Sequence, residues 1–179
     1  MSLRARMRRR RQVSFLLANG ADAVEHSGDR LLDHLLATHD LLASWGARPA
    51  LCEAALFHSV YGTQFLGEEL LGSDRRGEVR ALIGAEAEEL AWLWHAVRRE
   101  SLAANLGRTG DWGIETRDGE ALLITRDQFE DLVNLMFADA VEQLPRRGED
   151  GVRNQGPRLR PLMPVAMPAA SAAARELLG

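Results

Sequence analysis

The chain has 179 residues, enough for one domain with or without a tail, and its 46% hydrophobic content suffices for a packed core. The formal charge of −4 conceals a split, because Arg4, Arg6 and Arg8 to Arg11 form a cationic leader on an otherwise acidic chain. No apolar run approaches the ~18 residues of a membrane span, and no aromatic side chains interleave with the leader arginines as nucleic-acid contact favours, so neither a membrane nor a nucleic acid is expected as partner. VSFLLA after the leader is short and lacks a small-residue cleavage site, which argues against a secretory signal. A lone Cys52 excludes an internal disulfide and fits a reducing compartment, so a cytoplasmic location is expected. All 22 basic residues are arginine, a bias that suggests a high-GC bacterial genome.

In chain order, the first helix is expected over about 5–19, closed by Gly20. A loop runs through His26-Ser27-Gly28. A second helix over 29–45 carries Leu31, Leu32, Leu35, Leu36 and Leu42 as a broad apolar face and stops at Gly46. Pro49 suits the first position of a third helix over 49–60, which is apolar nearly all round. A short helix over 74–83 breaks at Gly84, and 85–100 is helical with acids at its start and arginines at its end. Asp118-Gly119 between two β-compatible runs predicts a hairpin. Thr125 with Gln128 predicts a capping box opening a helix over 126–144. After Pro145, residues 146–164 are rich in Arg, Gly and Pro and are expected to form a linker or mobile tail before a short terminal helix, SAAARELLG.

Candidate chemistry centres on ALFHSVYGT, residues 55–63, where a buried helix delivers His58 and then turns among Ser59, Tyr61 and Thr63. His34 lies among leucines on the preceding helix, and antiparallel packing brings two such imidazoles together. Asp139 interrupts an apolar helix face, with Gln143 one turn on; a carboxylate there is costly unless paired or bound to a cation. Cys52 reads as a small core residue, and Glu86, Glu88 and Glu89 read as acids at a helix N-terminus.

The block from His26 to Thr63 resembles the metal-binding core of the HD superfamily, closest to its (p)ppGpp-hydrolase branch. The matching elements are Ser27-Gly28, His34, Leu41-Leu42, Gly46, Ala54-Ala55-Leu56, His58 and Thr63, and Phe137-Ala138-Asp139 with Gln143 is similar to the late helix of that family. The resemblance covers roughly 26–143. It implies an all-helical HD fold; joined with the hairpin and tail read above, the expected architecture is all-α, an HD-domain-like helical bundle with one small β-hairpin, organised as an N-terminal helix with basic leader (1–25), an HD-like domain (26–145) and a linker with C-terminal tail (146–179). It also implies a metal held by His34, His58 and Asp139.

Two departures reshape the expected chemistry. The eponymous His-Asp pair is His58-Ser59 here, and the acidic pair that activates water in (p)ppGpp hydrolases is Tyr61-Gly62, so that activity is not assigned. Two histidines and one carboxylate with open positions suit Fe(II) oxygenase chemistry, and three protein ligands also suit Mn²⁺ or Zn²⁺ hydrolysis. The expected function is therefore a metal-dependent enzyme, oxygenase or hydrolase, acting on a small molecule. His26, Ser59, Tyr61 and Thr63 are the candidate catalytic residues. Arg48 is the only arginine between 31 and 74, which points to a neutral or singly charged substrate. The alternative is a metal-free HD-like binding or interaction module with an inherited pocket. An oligomer is compatible with either.

Overall fold

The computed structural model describes residues 3–26 and 28–179; Ser27, part of the HD resemblance, lies outside the described residues. The fold is all-α with two small antiparallel hairpins. Helix α1 spans Leu3–Ala18, α2 Leu31–Ser44, α3 Pro49–Phe57, α4 Arg76–Ile83, α5 Ala85–Ala96, α6 Arg126–Leu159 and α7 Pro168–Leu178. The helix stops follow local chemistry. Gly46 closes α2 at φ 81°, a left-handed conformation that costs glycine little. The Thr125 hydroxyl accepts from the Gln128 backbone N–H at 3.1 Å while the Gln128 side chain accepts from the Thr125 N–H at 2.9 Å, the capping box expected for α6.

Two apolar clusters hold the bundle. One gathers Leu16, Leu31, Leu35, Phe57, Val79 and Leu90, from α1 through α5. The other gathers Leu42, Leu51, Trp94, Phe129, Leu132 and Phe137 with residues of the C-terminal segment. Helices α2 and α3 contribute to both and form the spine between them. Near the first cluster, Glu88 is fully buried and is more than a helix-start acid. It accepts from Arg76 at 2.6 Å, Arg80 at 2.9 Å and the Tyr61 hydroxyl at 3.2 Å.

The expected hairpin is present as β3 Gly113–Glu115 against β4 Ala121–Leu123, turning at Gly119. A second, unexpected one pairs β1 Glu25–His26 with β2 Asp29–Arg30 in the region read as a loop, and α2 accordingly starts at Leu31. This hairpin fixes His26 in register opposite Asp29.

The tail is a correction. Residues 146–164 are not a structureless linker: α6 continues through them to Leu159, interrupted only at Gly148, where φ 55° and ψ −145° leave the helical region. Pro145 contributes no backbone N–H to the helix ladder just before this break. Gly151 lets the second half of α6 close on the first, since a Cβ there would stand 2.6 Å from the Arg147 Cβ. Leu159, Leu162, Ala166, Ala170, Ala174 and Leu178 then bury themselves against the second apolar cluster. The domain reading of 146–179 as an appended tail does not describe this packing.

Candidate metal centre

Three elements converge on one buried point. Helix α2 brings His34, the end of α3 brings His58, and α6 brings Asp139; none is more than 4% exposed. His34 Nε2 lies 3.1 Å from His58 Nε2 and 3.2 Å from Asp139 Oδ1, and His58 Nε2 lies 3.5 Å from the same oxygen.

The outer ring nitrogens fix what those inner atoms carry. His58 Nδ1 donates to the Ala55 carbonyl at 2.6 Å, a carbonyl at the end of α3 that otherwise receives only the long 3.5 Å contact from the His58 backbone N–H. His34 Nδ1 donates to Glu142 at 2.5 Å. A neutral imidazole with hydrogen on Nδ1 presents a lone pair at Nε2. Two imidazole lone pairs and a carboxylate oxygen therefore face one another inside the protein. That arrangement repels unless a cation stands among the three atoms.

In the chain by itself the cation is a proton. Burial would lower the His34 pKa, but the bonds to Asp139 and Glu142 reverse this and push it up to about 9. His58 is lowered, by burial first, and stays neutral. Burial works to raise Asp139, yet the Arg99 charge and the bonds to both histidines hold it well below the usual carboxylate range.

The spacing of the three atoms also suits a divalent ion. Neighbouring ligands of a first-row ion stand ~3.0–3.4 Å apart when each bond is ~2.1 Å, close to the separations here. Glu142 on His34 and the Ala55 carbonyl on His58 are the outer partners that orient metal-binding imidazoles. The Gln143 side chain donates to Asp139 Oδ1 at 2.8 Å and steadies the carboxylate.

His26 stands beside this cluster. Its ligand atom lies within 4.8 Å of those of His34 and Asp139, and its ring centroid is 4.4 Å from that of His34. Burial, then the neighbouring His34, lowers its pKa to about 4, so it is neutral at pH 7. Its Nε2 is buried and makes no hydrogen bond among the described residues. Two imidazoles thus flank the His34–Asp139 pair: His58 Nε2 on the buried side, and His26 on the cavity side, where His26, His34 and Asp139 also form a trio able to hold an ion.

That cavity, of about 220 Å³, is lined by His26, Ser59, Thr63, Arg99, Asp139 and Arg147 among others. Of the candidate catalytic residues, three therefore meet at the site. Tyr61 does not: it is 1% exposed and its hydroxyl turns to Glu88. Thr63 is partly committed as well, since its hydroxyl oxygen accepts from the Phe65 and Leu66 backbone N–H groups at 3.3 and 3.1 Å.

Reading the sequence missed Glu142, Arg99, Arg147 and Gln155. Glu142 was within reach, because it follows Asp139 by three residues and so shares its helix face. Arg99 arrives from a short 3-10 helix, Arg99–Asn105. Its guanidinium lies over Trp94 at 4.0 Å and Phe65 at 4.9 Å from the ring centroids and reaches Asp139 Oδ2 at 3.5 Å. Arg48, the arginine weighed from sequence, is instead paired with Asp131 and Glu86.

Ser59 occupies the position where the resemblance leads one to expect a carboxylate, and it lines the cavity beside Asp139. Ser59→Asp is therefore expected to tighten Mn²⁺ binding about tenfold or more, because a carboxylate is a hard anionic ligand and a neutral hydroxyl is not. Calorimetric titration of both proteins checks this; unchanged or weaker affinity means that position 59 does not reach the ion.

Residues 15–99 match the family model described as a domain of unknown function, DUF6817. The matched stretch contains His26, His34 and His58 and stops short of Asp139. Comparison with curated proteins and with solved structures gives no match.

Proposed function

We propose that this chain is a metal-dependent enzyme of divergent HD type, in which His34, His58 and Asp139 hold one divalent ion and the adjoining cavity takes a small molecule. The observation that carries this reading is the convergence of two imidazole nitrogens and a carboxylate oxygen within 3.5 Å, each oriented by an outer partner. Two histidines and a carboxylate suit Fe first, with Mn and Zn as alternatives; a bound ion would supply Lewis acidity for hydrolysis or, as iron, access to dioxygen.

The protein's own groups fit binding a substrate with one negative charge. Arg99 and Arg147 both line the cavity, and Arg99 is buried with its Nε unbonded. An anionic group between them meets two guanidinium groups without needing water. His26 is neutral, lines the cavity and has its Nε2 unbonded, so it is available to hydrogen-bond the substrate, although burial leaves it a weak base. Ser59 offers a hydroxyl for orientation.

The cavity volume, below the ~300–1,000 Å³ of drug-sized ligand sites, disfavours a nucleotide carrying two pyrophosphates, as does Tyr61-Gly62 in place of an acidic pair. The single buried Cys52 fits a reducing cytoplasm. Among the described residues no helix is long and apolar enough to cross a membrane.

A second reading has its own observation. With His34 charged between Asp139 and Glu142, the cluster satisfies itself electrostatically and would serve a metal-free binding module. Metal analysis of protein purified without oxygen from iron- and manganese-supplemented cells separates the two. One equivalent of transition metal per chain is expected. Folded protein that carries none, and that takes up neither Fe²⁺, Mn²⁺ nor Zn²⁺ on titration, overturns the enzyme reading in favour of the module.

A further inference from the structure

Helix α1 has two working faces. Gln12 and Leu16 are buried against the body, with Phe15 and Val13 partly covered. On the opposite side Leu3, Met7, Arg10, Ser14 and Leu17 recur every three or four residues, which places them in one stripe along the helix. The apolar members of that stripe face solvent: Leu3 is 74% exposed, Met7 53% and Leu17 42%.

The arginines divide in the same way. Arg8 is committed to the Ile83 carbonyl at 3.0 Å and to Glu53 at 3.5 Å, and Arg9 to Asp40 at 3.2 Å. Arg4, Arg6, Arg10 and Arg11 are exposed and form no ion pair among the described residues. At helical spacing Arg6 falls on one side of the apolar stripe, Arg4 and Arg11 fall on the other, and Arg10 sits within it. The helix contains no acid, although the chain holds 26 acidic residues.

We propose that the outer face of α1 docks this protein reversibly on an anionic lipid surface. Exposed leucine and methionine framed by unpaired arginines are what an interfacial helix needs: the apolar side chains enter the acyl boundary while the guanidinium groups extend to lipid phosphates. Charge selects this occupant. A second copy laid face to face would set unpaired arginines against unpaired arginines. A nucleic acid would use the arginines but leave Leu3, Met7 and Leu17 against phosphates. The acidic body stands behind the helix, whose ~10 Å diameter is about one screening length at physiological salt, so its repulsion does not cancel the contact. Among the described residues no helix is long and apolar enough to cross a membrane, and surface contact of this kind needs none.

The test is sedimentation of the full chain with vesicles of phosphatidylglycerol and phosphatidylcholine in equal parts, against vesicles of phosphatidylcholine alone. Binding to the anionic vesicles only is expected, weakening as salt rises. Two variants at exposed positions, Arg6→Glu/Arg10→Glu/Arg11→Glu and Leu3→Ser/Met7→Ser, should each weaken it about tenfold or more at unchanged melting temperature. The proposal is overturned if the unaltered chain stays in the supernatant at low salt, or if the Leu3/Met7 variant binds as well as it does. Duplex DNA bound equally by the unaltered chain and that variant, with vesicles left unbound, would assign the strip to nucleic acid and overturn it equally.

Discussion

His58→Ala is expected to weaken divalent-metal binding by about two orders of magnitude or more and to remove activity with it. Its Nε2 supplies one of three converging donors, at a position 1% exposed at the end of α3. The substitution also empties a packed site at some cost in stability, ~2–3 kcal/mol by analogy with large-to-small core changes, so the variant must be shown folded by its melting transition. Glu142→Gln provides a graded companion. It keeps the shape but loses the anionic partner of His34 Nδ1, and a loss of roughly ten- to a hundredfold in affinity is expected for such an outer partner. Tyr61→Phe is the control: its hydroxyl faces Glu88, so metal binding should not change. Competition titration with a chromogenic chelator reads all three. Full metal occupancy in His58→Ala would show that His26 or another donor completes the site, and the ligand set proposed here would be wrong.

The parts of this site legible in the sequence share a physical reason. His34, His58 and Asp139 are polar residues on helix faces that have to be apolar, and a helical pattern displays such exceptions directly. Glu142 carries the same signal one turn from Asp139, but Arg146 follows it four residues later, the spacing of an ordinary exposed pair, which masks it. Arg99 carried none. It follows the end of α5, in a 3-10 turn whose direction depends on packing against Trp94 and Phe65, and nothing local in the sequence sets that direction. The first hairpin was hidden for a similar reason: each of its strands is only two residues long, too short for alternation to register. Tyr61 illustrates the opposite error. Adjacency to His58 in sequence suggested adjacency in space, yet the turn after α3 points the phenol at the buried Glu88 network. The C-terminal segment misled by composition. Its Arg, Gly and Pro content resembles a linker, while Gln155, Leu159, Leu162, Ala166, Ala170, Ala174 and Leu178 repeat every three or four residues and mark a continuous buried face.

Truncation after Arg147 is accordingly expected to be severe, the reverse of what a mobile tail predicts. The removed residues include Leu159, Leu162 and Leu178, each at most 5% exposed and packed in the cluster that contains Leu132 and Phe137. One buried leucine contributes ~1.5–3 kcal/mol, and in a chain of this size each kcal/mol moves the melting temperature by ~2–4 °C. Loss of the three leucines alone therefore predicts a fall of about 10 °C or more, before any account of the polar links. Those links go too: the Met167 N–H donates to Asn134 Oδ1 at 2.7 Å, and Arg160 donates to the Leu178 carbonyl at 2.8 Å. The cut also strips Gln155 from the cavity wall and removes Arg158, which pairs with Glu100 at 3.0 Å beside Arg99. Metal affinity should consequently fall together with stability, since α6 also carries Asp139. Leu162→Ala in the full-length chain keeps the interpretation clean if the truncated protein does not fold at all. It deletes one buried side chain, leaves every cavity residue in place, and should cost ~2–5 kcal/mol. Thermal melts of both proteins decide the matter: a truncated chain that melts where the full one does, with Leu162→Ala likewise unchanged, would mean that the segment does not pack as described and that the cavity is closed by something other than α6.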